Sequence, residues 1–100
     1  MVTLSVTRSR VAAVLRATAD LLEAEGWHPE RNSVIFAIDR AAGYVPGKGS
    51  VDAEEATLQA WDALVTQLDE ELVVPWERDP RRTQTQVLHA IRSAAEAVSA

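Results

Sequence analysis

The sequence predicts an all-α single domain of about four helices, and three observations carry that expectation. Apolar residues recur at three and four spacing over long stretches, which is the helical period. Alternation of the strand type is confined to the first six residues. The glycines and all four prolines stand between the periodic stretches, where they punctuate helices rather than interrupt them. At 100 residues, 47% hydrophobic and 25% charged, the chain has ordinary globular composition. One core of that size hides roughly 60–70% of the surface an unfolded chain exposes.

Val2, Leu4 and Val6 alternate with Thr3 and Ser5, so residues 1–6 read either as a short extended arm or as the frayed start of a helix. The first helix is expected over 7–25, with Val11, Val14, Leu15, Thr18, Leu21 and Leu22 on one face. Ala12, Ala13, Ala17 and Ala19 add intrinsic propensity, and Gly26 suits the left-handed position that ends a helix. Arg8 and Arg10 at its start and Glu23 and Glu25 at its end oppose the helix dipole. Packing or neighbouring elements must therefore hold this helix.

Pro29 keeps His28 out of a helix, making 27–32 a connection. A second helix over 33–42 can be capped by Asn32 or Ser33 and closed by Gly43. Val34, Ile35, Phe36 and Ile38 could form a buried strand instead, but the Asp39-Arg40-Ala41-Ala42-Gly43 that follows favours the helix. Gly43 to Ser50 holds three of the four glycines and reads as a loop. The third helix is expected over 51–72, started by Ser50 or Asp52, with acids in its first turn and a stripe of Leu58, Trp61, Leu64, Val65, Leu68 and Leu72. Pro75 is then expected to end any helix. Thr83 opens the last helix, 83–98, with Gln86 completing a capping box worth about 1 kcal/mol. Val87, Leu88, Ile91, Ala94, Ala95 and Val98 supply its apolar face. An open helical array and an up-down bundle both satisfy these elements.

Two stretches resemble a known family. The run Leu15-Arg16-Ala17-Thr18-Ala19-Asp20-Leu21-Leu22-Glu23, followed by Gly26-Trp27, is similar to the opening of an uncharacterised family of small helical proteins from actinobacteria and their phages. Trp76, Pro80, Arg82, Thr83 and Val87 match that family's C-terminal pattern, while Glu77, Arg78, Arg81 and Gln86 depart from it. The Trp-Cys pairs expected near Trp27 and at the second helix are missing. The resemblance implies a helical fold, a bacterial or phage cytoplasmic setting and a structured turn over 76–83. It brings no reaction, ligand or partner.

Composition narrows the function classes. No apolar run reaches the roughly 20 residues of a membrane span, and no signal-peptide pattern opens the chain. With no cysteine there is no disulfide framework or thiolate metal site, which fits a reducing cytoplasm. A net charge of −5 argues against nucleic acid and anionic membrane surfaces as partners.

The candidate binding residues are Trp76, Arg78, Arg81, Arg82 and Thr83, beside the amides that open the last helix. Arginine forks at a helix N-terminus can hold an anion, but neutralising Asp69, Glu70 and Glu71 accounts for both charge clusters at once and is the favoured reading. Gly43 to Ser50 differs from a nucleotide phosphate loop, having three residues between its first two glycines and Gly49 after Lys48. It reads as a plain loop capped by Ser50. Trp61 belongs to a core stripe, whereas Trp27 and Trp76 stand in connections as plugs or as partner anchors. His28 and His89 have no carboxylate at chelating helical spacing, so no metal site is expected, nor any cofactor or catalytic motif. The expected function is a non-enzymatic protein-interaction module, with a homodimer as one form and a basic partner suited to the acidic third helix. The alternative is a domain for a phosphorylated small ligand held by Arg78, Arg81 and Arg82.

Overall fold

A computed structural model describes residues 7–48, 50–69 and 72–99; the expected arm at 1–6 lies outside the described residues. Among them the chain is all-α, as its periodicity predicts. The elements are α1 (Arg8–Glu25), α2 (Val34–Ala42), α3 (Val51–Gln67), α4 (Val73–Glu77) and α5 (Gln84–Ser99). α1 packs on α5, α2 and α3, while α3 also meets α2 and α5. Leu15, Leu22, Val34, Ile38, Leu64, Val73, Val87 and Ile91 are fully buried in one shared core.

The helix starts follow their sequence chemistry. Thr7, Ser33 and Ser50 each accept a backbone N–H from the third residue onward, which are Arg10, Phe36 and Ala53. Thr83 Oγ1 accepts from Gln86 N at 3.2 Å, and Gln86 Oε1 accepts from Thr83 N at 3.0 Å, so the capping box closes in both directions. α2 ends in a Schellman turn. Gly43, at φ +76°, donates to Arg40 O, and Tyr44 N donates to Asp39 O.

The unfavourable charges of α1 are answered by its neighbours. Arg10 pairs with Asp52 of α3 at 2.7 Å, and Glu25 with Arg40 of α2 at 2.6 Å. Arg92 of α5 reaches Asp20 at 3.3 Å and Glu23 at 3.1 Å. The hydrogen bonds and charge of Arg40 hold the Glu25 carboxyl below its ordinary range.

Three expectations are corrected. The third helix stops at Gln67 rather than 72, because Asp69 turns left-handed at φ +59°, a conformation aspartate tolerates better than most residues. Pro75 does not exclude a helix: it sits inside α4, within the first turn, where its missing N–H has no intrahelical acceptor to lose. The buried face of α3 is Ala53, Ala56, Thr57, Ala60 and Leu64, so Leu58 is left 56% exposed. Alanines of α1 and α5 complete the core: Ala12, Ala19, Ala90, Ala94 and Ala95 are buried in it.

Candidate functional site

One end of the molecule is tied together by Glu77. Its side chain lies at the end of α4, only 3% exposed, and Oε2 accepts two hydrogen bonds at 2.8 Å. The donors are the indole N–H of Trp27 and the backbone N–H of Val34, the first residue of α2. A carboxylate at a helix N-terminus gains from the dipole as well as from the amide. Burial still dominates and raises the Glu77 pKa above its ordinary value, while the two hydrogen bonds oppose the rise. Trp27 is fixed a second time, its backbone N–H donating to Gln84 Oε1 at 2.9 Å. Four pieces of chain therefore meet here: the connection after α1 and the ends of α2, α4 and α5.

The arginine segment lies against this knot. Trp76 is buried, with the Arg82 guanidinium 4.3 Å from its ring centroid. Arg82 Nε donates to Trp76 O at 2.9 Å, and its Nη2 stands 3.9 Å from Asp79 Oδ2. Asp79 Oδ1 accepts the backbone N–H of Arg81 at 2.9 Å, which is the main reason its pKa is lowered. The acid that the arginines meet is thus Asp79. Glu70 and Glu71 lie outside the described residues, and among those residues no ion pair joins the arginines to Asp69. Arg78 and Arg81 are exposed. The structure brings Trp76 and Arg82 together, and gives Thr83 to the helix cap.

A second region presents the opposite surface. Between α2 and α3 runs an open groove of about 390 Å³, lined by Ile35, Asp39, Tyr44, Glu54, Leu58 and Trp61. Ile35 is 45% and Leu58 56% exposed, and Trp61 is half-buried against the core. Glu54, Leu58 and Trp61 stand one helical turn apart on α3, and Ile35 and Asp39 do so on α2. Thr57 Oγ1 donates to Asp39 Oδ1 at 2.6 Å, pinning the two walls together beneath the opening. Phe36, next to Ile35, is 51% exposed, under the Arg40 guanidinium at 4.8 Å.

Comparison with known families places the chain. The model of DUF6197, a family of unknown function, matches residues 6–97. The chain belongs to that family. No curated protein and no solved structure matches it.

In this DUF6197 chain the segment from Trp76 to Val87 is bonded to other parts of the same chain. Its arginine stacks on its own tryptophan, and Glu77 joins helices. Sequence reading passed over Glu77 because α4 is five residues long, too short for a face to show in a periodicity. It missed the groove for another reason. Leu58 and Trp61 fit an apolar stripe with Leu64, yet the smaller Ala53, Ala56 and Ala60 face the core with Leu64, while Trp61 packs on it only in part. Among the described residues no three His, Asp or Glu side chains gather as a metal site requires. The chemistry available in the groove is apolar contact beside carboxylates.

Proposed function

We propose that this DUF6197 protein is a non-enzymatic interaction module that holds part of another protein in the groove between α2 and α3. The observation that carries the reading is the pair Ile35 and Leu58, large exposed apolar side chains that line the groove with the half-buried Trp61. An anion site at Arg78, Arg81 and Arg82 is less well supported, because Arg82 is engaged by Trp76 and Asp79. The Thr83 and Gln86 amides beside it are likewise taken up by the capping box. A bacterial or phage cytoplasm is the setting that the family resemblance suggests. No helix among the described residues is long and apolar enough to cross a membrane.

The test compares the wild type with an Ile35→Gln/Leu58→Gln double variant in size-exclusion chromatography with light scattering, and in quantitative pull-downs from the native host. The expected result is a stoichiometric protein partner retained by the wild type and lost by the equally folded variant. A homodimer that the variant dissociates would make that partner a second copy. Identical behaviour of the two proteins, with phosphate binding abolished by Arg81→Ala, would replace this reading with the anion site.

A further inference from the structure

Resting on the groove reading, we infer that the occupant is a basic amphipathic segment, with apolar side chains against Ile35, Leu58 and Trp61 and a lysine or arginine beside Glu54 and Asp39. The apolar floor alone would accept many partners; the charge around it selects. Within Val51–Gln67 the charged residues are Asp52, Glu54, Glu55 and Asp62, all acidic. Asp52 is taken by Arg10, but among the described residues Glu54, Glu55 and Asp62 have no basic partner. On the other wall, Arg40 is turned to Glu25, and Asp39 is bonded to Thr57 rather than to a cation. Among the described residues, Glu54 and Asp39 therefore stand beside the apolar opening with no ion-pair partner.

A second copy of this chain fits the groove poorly. A two-fold dimer sets the same patch against itself, which would bring Glu54 and Asp39 of one protomer towards those of its partner. Like charges facing one another across an interface oppose association, and the net charge of −5 adds to that. A cationic segment reverses both effects. A long lysine or arginine can lay its methylenes along Leu58 and carry its charge to Glu54, one turn away on the same helix face.

Selection from displayed random peptides tests the inference with wild-type protein as bait and the Ile35→Gln/Leu58→Gln variant as counter-bait. Expected are peptides rich in Lys or Arg next to Leu, Ile or Phe, weakened about tenfold or more by the double variant, since each buried aliphatic contact is worth that much. Their affinity should fall with added salt and drop about threefold with Glu54→Gln, the scale of one exposed ion pair. Groove-dependent peptides that are neutral or acidic would overturn the basic occupant while leaving the groove a docking site. If no selected peptide distinguishes wild type from the double variant, the groove reading itself fails. Circular dichroism confirms that each variant is folded before its binding is read.

Discussion

The Glu77 knot and the α2–α3 groove invite opposite first impressions. The knot collects what a functional site is usually built from: a buried carboxylate, two tryptophans and an arginine. Its groups nevertheless face one another. Glu77 accepts from Trp27 and Val34, and Arg82 donates to the Trp76 carbonyl, so these bonds are made inside the chain. The groove is made of residues that read as core, yet Ile35 and Leu58 have no apolar neighbour over much of their surface. The knot's polar groups face inward, whereas the groove's apolar surface is what the proposed partner would cover.

Mutations can break that contrast, beginning with the knot. Glu77→Ala leaves the Trp27 indole N–H and the Val34 amide without an acceptor, and should cost about 3 kcal/mol. Thermal unfolding would show it as a fall in Tm of roughly 10–20 °C for a domain of this size. Arg82→Ala removes the stacking on Trp76 and the bond to its carbonyl, an expected loss of about 1–2 kcal/mol in denaturant unfolding. Full stability in either variant would mean that the knot does not hold the fold together.

Glu77→Gln sharpens the comparison through pH. Because burial raises the Glu77 pKa, the folded state binds this proton more tightly than the unfolded state, whose value stays near 4.5. The group's favourable contribution is complete below that value and is lost as pH rises through the raised folded value. Wild type should therefore lose stability relative to Glu77→Gln as pH climbs above about 4.5, a trend visible in paired urea titrations. Glu25 and Asp79, whose values are lowered, act in the other direction: their contribution is present above the ordinary carboxylate range and is lost in acid. Both are common to the two proteins, so the difference between the curves isolates Glu77.

The smallest effects belong to the exposed residues. Leu58→Gln and Arg81→Ala should each change stability by no more than about 0.5 kcal/mol. Only Leu58→Gln is expected to weaken partner binding, by about tenfold. A large stability loss in Leu58→Gln would return that residue to the core and close the groove as a site.

Local chemistry was legible wherever the signal sits within one or two turns. The all-α class, the caps at Ser50 and Thr83, the stop at Gly43 and the buried faces of α1 and α5 follow from nearby residues. The length of α3 was not, since its end rests on the left-handed turn at Asp69. The Trp76–Val87 segment stood out in the sequence, and five of its positions carried the family likeness that the DUF6197 match bears out. Its role did not follow from that. Whether an arginine binds a ligand or its own chain depends on what packs beside it.

By itself, then, the sequence determined the class of fold, most helix starts and the family, because propensity, capping and periodicity act between residues a few positions apart. Only the tertiary structure decided that Glu77 would join Trp27 and Val34 across 50 and 43 residues of chain. It also decided which of two apolar stripes on α3 would be buried. That choice depends on how closely α1, α2 and α5 approach, and the small stripe of Ala53, Ala56 and Ala60 allows the closer packing. Turning that stripe inward is what leaves Leu58 in the open groove beside Ile35.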